Sequence, residues 1–167
     1  MFGTPELAAV TVGLGDLARL QVLHERCHEF IRLVFGRAVG RSEALEFLED
    51  LPPGKMAADK ICLGLEDGRG ELVGAIDLVR DYPEEGEWFL GLLMLVPEVR
   101  GSGAGTRVME AMERWVGGEG AKALQLAVHE RNTGGKRFWE RRGFATIREA
   151  VKDYGRLFVQ RKVIERG

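Results

Sequence analysis

The residues most suited to chemistry in this sequence form one glycine-rich segment: Arg100, Gly101, Ser102, Gly103, Ala104, Gly105 and Thr106. Trp88–Val96, just before it, is an apolar run of strand length, and Thr106–Val116, after it, carries apolar residues at helical spacing. Glycines let the backbone approach a ligand closely, and the first N–H groups of a helix have no partner within the helix. Because these N–H groups lie at the positive end of the helix dipole, the segment predicts an anion site, with phosphate as the usual anion.

Three kinds of phosphate-binding loop can be compared with this segment. A loop for ATP or GTP requires a Lys after its last glycine, and Arg107 does not follow that pattern. A dinucleotide loop requires G-x-G-x-x-G and an acidic residue about 20 positions later; the glycines here alternate, and Glu130 comes rather late. The third pattern, Arg/Gln-x-x-Gly-x-Gly/Ala of acyl-coenzyme A binders, is matched by Arg100, Gly103 and Gly105.

A second segment supports the third comparison. Asn132–Phe144 (NTGGKRFWERRGF) is similar to N-x-x-A-x-x-x-Y-x-x-x-G-F, and it follows the first segment with a helix and a strand between them. The two motifs occur together in the GNAT superfamily of N-acetyltransferases, which this sequence resembles from about Gly86 to Phe144. The alternative for the first segment alone is a helix entry whose glycines serve a tight turn.

The resemblance implies transfer of an acetyl group from acetyl-CoA to a primary amine by direct attack in a ternary complex. The alternatives are a non-catalytic acyl-CoA-binding or sensing domain and a transferase for a different acyl group. It implies that the backbone at Leu93, Met94 and Leu95 pairs with the pantetheine arm and polarises the thioester carbonyl. A buried core position is the other interpretation of these residues, and the two are compatible. Asn132 either bonds the pantetheine or caps the following helix. The residues expected to bind the cofactor are Leu93, Met94, Leu95, Arg100, Gly101, Ser102, Gly103, Ala104, Gly105, Thr106 and Asn132.

The reaction also requires a group that accepts a proton, because an alkyl amine has a pKa of roughly 10. Glu87 is the predicted catalytic base, with Glu84 and Glu85 as rivals; a solvated acidic turn is the other interpretation of all three. Trp139 occupies the position at which the family pattern carries Tyr, and an indole cannot donate a proton to the leaving thiolate. Either another group does so, with Tyr154 as a possible substitute, or the thiolate leaves unprotonated.

A rival motif lies near the N-terminus. His24-Glu25-Arg26-Cys27-His28 matches H-E-x-x-H on a predicted helix, the pattern of a zinc hydrolase. The alternative is a partly buried pair of histidines at the border of the apolar face. No downstream His follows at metzincin spacing, and nothing in the sequence supports Glu43 or Glu46 as a third ligand, so we expect no bound metal.

The composition narrows the classes of function. A length of 167 residues predicts one domain, residues 1–167, and a net charge of −2 gives no argument for nucleic acid or a membrane surface. No apolar run reaches membrane-spanning length, and the N-terminus lacks the pattern of a secretion signal, so we expect a cytoplasmic protein. Cys27 and Cys62 are expected to be buried thiols. The resemblance implies a small-molecule or protein amine as acceptor, and family members whose last strands form interfaces suggest a homodimer.

The pattern of elements predicts an α/β fold. The resemblance implies a single-domain GNAT fold, with a mixed central sheet of about seven strands, splayed central strands and about four flanking helices. The predicted helices are Leu17–Phe35, Glu43–Leu51, Thr106–Val116 and Thr133–Arg142. The predicted strands are Leu7–Val12, Ile61–Leu65, Leu72–Val79, Trp88–Val96, Ala123–Val128, Phe144–Val151 and Leu157–Val163.

Overall fold

The computed structural model describes residues 1–165 and contains one mixed sheet. Its strands are β1 (Ala8–Thr11), β2 (Lys60–Glu66), β3 (Leu72–Val79), β4 (Glu87–Leu95), β5 (Ala123–His129), β6 (Ala145–Lys152) and β7 (Gly155–Val163). The strand order is β1-β2-β3-β4-β5-β7-β6, and only the contact between β4 and β5 is parallel. The predicted seven-stranded mixed sheet is therefore confirmed.

In the part of the chain that the structure describes, five α-helices flank the sheet: α1 (Leu17–Arg26), α2 (His28–Phe35), α3 (Glu43–Glu49), α4 (Ala104–Gly118) and α5 (Thr133–Arg141). The long helix α4 packs on one face through Trp115, whose ring lies 6.0 Å from that of Trp88. On the opposite face the Cys62 thiol donates a hydrogen bond to the Phe47 carbonyl of α3 at 3.6 Å. Among residues 1–165, no helix is both long and apolar enough to cross a membrane.

The spacing of the apolar residues in α4 explains why this helix packs on the sheet along one face. Val108, Met109, Met112 and Val116 recur at helical spacing, and each is completely buried against the sheet. Each such side chain removed from water contributes about 1.5–3 kcal/mol. The helix that supplies the phosphate loop is therefore fixed to the sheet along its whole length.

One predicted helix is wrong. The pattern predicted a continuous helix over Leu17–Phe35, but the structure divides it at Cys27, where φ is −100° and ψ is 22°. The Cys27 N–H is shared between the carbonyls of Leu23 and His24, and His28 Nδ1 bonds the Glu25 carbonyl at 3.0 Å. The regular hydrogen bonds of the helix are interrupted at Cys27, although the apolar residues keep the helical spacing on both sides of the break. The described residues consequently form five α-helices, where about four were expected.

Candidate active site

The central parallel strands separate partway along their length. Residues Glu87–Leu90 of β4 pair with Ala123–Leu126 of β5, after which β4 continues to Leu95 and β5 to His129 with no further pairing between them in the described chain. A β-bulge marks the separation, because Leu78 pairs with Leu90 while Asp77 pairs with Leu92, leaving Gly91 as the extra residue. A bulge bends the strand and increases its twist. The result is an opening with unpaired backbone groups along both strands.

The glycine-rich loop lies at the end of β4. After a single 3₁₀ turn at Pro97–Val99, the chain turns through Gly101 and Gly103, which have φ values of 76° and 79°. This left-handed conformation costs a residue with a Cβ about 1–2 kcal/mol. Helix α4 begins directly afterwards at Ala104, so three of the predicted binding residues, Ala104 to Thr106, form its first turn.

The loop presents a row of backbone donors. Within residues 1–165, the N–H groups from Gly101 to Thr106 donate to no protein acceptor, and the first bond of α4 runs from the Arg107 N–H to the Gly103 carbonyl at 3.1 Å. These donors lie at the N-terminus of a long helix, where the dipole favours an anion. The arrangement can bind a phosphate or pyrophosphate without cationic side chains.

Side chains of the loop hold its shape. The Arg100 Nε donates to the Leu95 carbonyl at 2.7 Å, and the Ser102 hydroxyl donates to the Val99 carbonyl at 2.9 Å. Arg107 Nη1 reaches the Ser102 carbonyl at 3.2 Å. These bonds use the backbone carbonyls of the loop and leave its N–H groups free. Any contact of the Arg100 side chain with a cofactor stays a prediction.

The other predicted cofactor residues line the opening. Met94 is buried, whereas Leu93 and Leu95 are partly buried, and all three pair with β3 on their other edge. Asn132 caps helix α5, because its Oδ1 accepts from the Gly135 N–H at 2.9 Å. The cap is therefore made, while an added contact of Asn132 with pantetheine stays a prediction.

The predicted base lies at the closed end of the strand pair. Glu87 is the first residue of β4 that pairs with β5, and its Oε1 accepts from Arg161 Nε at 2.9 Å and Nη2 at 2.7 Å. Gln125 Nε2 donates to the second carboxylate oxygen. The hydrogen bonds from Arg161 hold the pKa of Glu87 below its usual value. Since a lower pKa means a weaker base, this geometry reduces the proton affinity of Glu87, whose catalytic role stays a prediction.

A second carboxylate, which the sequence analysis did not identify, lies at the open end. Asp77 of β3 forms an ion pair with Lys60 of β2 at 2.9 Å, and Lys60 also donates to the Asp50 carbonyl at 2.8 Å. A Cβ built on Gly91 would lie only 2.7 Å from Asp77 Oδ2. Burial raises the pKa of the Asp77 carboxyl. The available signal was a lone Asp within the apolar strand LVGAIDLV.

Aromatic residues surround the second motif. Trp139 packs against Phe138 at 4.8 Å and Phe144 at 5.6 Å between ring centroids, and it is partly buried against the core. Tyr154, in the turn between β6 and β7, packs against Phe35 of α2 at 5.2 Å. Burial raises the pKa of the Tyr154 hydroxyl. This contact joins α2 to the turn between β6 and β7.

The H-E-x-x-H histidines are separated by the break at Cys27. His24 is buried with its Nδ1 bonded to the Leu20 carbonyl at 2.7 Å, whereas His28 is exposed and bonds the Glu25 carbonyl. Within the described part of the chain, no three His, Cys, Asp or Glu side chains are grouped as metal ligands. A cavity of about 580 Å³ lies at the edge of the sheet near β1 and β2; Lys60 lines it, whereas none of the residues predicted from the sequence to bind the cofactor or act as the base does.

The comparisons with known proteins agree with this architecture. The model of the acetyltransferase (GNAT) family matches residues 21–144, so the chain belongs to the GNAT family of acetyltransferases. It is accordingly an N-acetyltransferase by family. Members of this family use acetyl-CoA as the acetyl donor. No curated protein is significantly similar to this chain in sequence.

Solved structures share the fold across nearly the whole chain. An acetyltransferase from Thermus thermophilus has a TM-score of 0.76 at 22% identity, covering 98% of this chain and 99% of that one. A spermidine N-acetyltransferase from Vibrio cholerae, in complex with CoA and spermine, has a TM-score of 0.75 at 15% identity, covering 96% and 97%. A GCN5-related N-acetyltransferase from Kribbella flavida has a TM-score of 0.68 at 21% identity, covering 94% and 97%.

Proposed function

We propose that this protein transfers the acetyl group of acetyl-CoA to a primary amine, by direct attack of the amine in a ternary complex. The observation that carries the proposal is the row of free N–H groups from Gly101 to Thr106, placed at the end of the strand opening. Coenzyme A would fit both features, because its pyrophosphate can bind these N–H groups and the amides of its pantetheine arm can pair with the unpaired strand edge.

The residues present fit each part of the cofactor. The loop N–H groups would hold the pyrophosphate, and the unpaired edge of β4 at Leu93–Leu95 would bond the pantetheine amides. The Leu95 carbonyl already accepts from Arg100, so the N–H and C=O groups of Leu93 and the neighbouring backbone are the ones left for pantetheine. When bound, the thioester supplies an activated acyl group with a thiolate as leaving group.

The chain's own task is then to position and deprotonate the acceptor. An acceptor amine with a pKa of roughly 10 arrives as an ammonium ion near neutral pH and must lose a proton before it can attack. A carboxylate that faces the opening can position the acceptor by attracting its ammonium charge, and it can then accept a proton from it. The proposed acceptor class is therefore any primary amine, small molecule or protein, that reaches the opening.

The test is a transfer assay with ¹³C-labelled acetyl-CoA and a panel of primary amines: spermidine, tyramine, lysine and short peptides with a free N-terminus. We expect thiol release together with a labelled amide on at least one amine. Tight coenzyme A binding without transfer to any of them would instead favour a coenzyme A-binding domain that has lost its chemistry, a role suggested by Trp139 in place of Tyr. Failure to bind coenzyme A would contradict both.

A further inference from the structure

A buried carboxylate stands at the point where β4 leaves β5. Leu90 is the last residue of β4 paired with β5, and Gly91, the next residue, is exposed. Asp77 Oδ2 fills the space that a side chain at Gly91 would occupy, at 2.7 Å from the Cβ position. The carboxylate of Asp77 therefore borders the opening, while its own side chain is only 17% exposed.

The neighbouring groups orient this carboxylate. Lys60 Nζ donates to Asp77 Oδ1 at 2.9 Å, and the lysine is itself held by the Asp50 carbonyl, with a side chain only 4% exposed. The Asp50 carboxylate also raises the pKa of Asp77, and the Asp77 carboxylate in turn raises the pKa of the neighbouring Cys62 thiol. Since Lys60 occupies Oδ1, Oδ2 remains available on the side of Gly91.

From this geometry we infer that Asp77 is the catalytic base, accepting through Oδ2 the first proton of the acceptor ammonium; the inference rests on the proposed acetyl transfer. Its environment suits the role, because burial outweighs the effect of Lys60 and raises the pKa of the carboxyl. A base with a higher pKa takes up a proton more readily. Glu87 differs in both respects, since Arg161 lowers its pKa and it lies at the closed end of the strand pair.

The proton balance is complete with these groups. The ammonium gives one proton to Asp77, and the amine nitrogen then forms a bond to the thioester carbon as the carbon–sulfur bond breaks. The nitrogen loses a second proton, which goes to the departing thiolate, and retains one in the amide. Asp77 releases its proton to solvent before the next turnover.

The dependence of kcat on pH distinguishes a catalytic base at Asp77 from a purely structural ion pair between Asp77 and Lys60. In Asp77→Asn, the amide oxygen can still accept from Lys60, so the pair geometry is retained while the base is lost. We expect kcat to fall by about 10²-fold or more near neutral pH, with coenzyme A affinity unchanged. Activity should recover steeply as pH rises toward the pKa of the amine, because solution then supplies the deprotonated nucleophile.

Two further variants test whether a loss of activity comes from the Asp77 carboxylate itself rather than from misfolding or an indirect effect. Gly91→Ala leaves Asp77 in place but adds a Cβ that must displace Oδ2, so it should lower kcat in the same way. Glu66→Gln removes a carboxylate at the other end of β2, paired with Arg19 at 2.6 Å, and should keep the wild-type profile. Melting temperatures of all three variants check that the fold is retained.

A measurement independent of turnover completes the test. A ¹³C NMR titration of the side-chain carboxyls, with the Asp77 signal assigned by its absence in Asp77→Asn, should give a midpoint above the ordinary value of about 3.9. A midpoint at or below that value, or an Asp77→Asn enzyme with a wild-type pH profile, would overturn the inference. So would a Glu87→Gln variant that alone acquires the pH-dependent recovery. A wild-type protein that acetylates no amine would contradict the proposed function itself, and the base with it.

Discussion

The glycine at position 103 offers a sharp test of the phosphate loop. Gly103 has a φ of 79°, and a Cβ there would lie 2.9 Å from Arg107 Nη1, the group that bonds the Ser102 carbonyl. In Gly103→Ala the left-handed conformation costs about 1–2 kcal/mol, which the loop can relieve by leaving its binding shape. Coenzyme A binding must then restore that shape, so affinity should fall by about 5- to 30-fold.

The assay is calorimetric titration with coenzyme A, with Gly118→Ala as the matched control. Gly118 is the last residue of the same helix, has open space at its Cβ position and no positive φ, so alanine there should leave the affinity unchanged. Both variants should retain the wild-type circular dichroism spectrum. Wild-type coenzyme A affinity in a folded Gly103→Ala protein would refute the assignment of this loop as the cofactor site.

Three further predictions concern the cap, one ion pair and the thiols. Asn132→Ala should lower the free energy of unfolding in urea by about 1 kcal/mol, because α5 loses its cap, whereas Asn132→Asp should retain it; equal stability of the two variants would contradict the cap. Glu87 has a lowered pKa from its pairing with Arg161, so its contribution to stability is present above the unfolded value of about 4.3 and is lost as pH falls through the folded pKa. The stability difference between wild type and Glu87→Gln should therefore shrink in acid, and a constant difference across pH would argue against that pairing. Burial raises the pKa of Cys62 to about 11 and also raises that of Cys27, so Ellman's reagent should label both thiols in denaturant and neither rapidly in the folded protein; fast labelling of the native state would be inconsistent with this burial.

The local parts of the site could be predicted from the sequence because their causes are local. A helix N-terminus and its glycines are specified by adjacent residues, so the glycine-rich turn was predicted, with the helix start at Thr106 rather than at the observed Ala104. The cap at Asn132 is of the same kind, since donor and acceptor are three residues apart.

The remaining features depend on residues that are distant in sequence. Asp77 reaches the opening only because β3 pairs with the bulged part of β4 at Gly91, and no local pattern encodes that register. Glu87 was predicted as the base from its place at the start of the central strand. Its partner Arg161 belongs to β7 and lies 74 residues later in the sequence. The break at Cys27 was missed because the apolar period continues through it.

Acetyl transfer can be tested directly by following the label from ¹³C-acetyl-CoA to a primary amine by mass spectrometry. We expect equal amounts of free coenzyme A and labelled amide, with a Gly103→Ala protein that requires more acetyl-CoA for the same rate. Hydrolysis of acetyl-CoA without amide formation on any amine of the panel, or no use of acetyl-CoA by the folded protein, would contradict it.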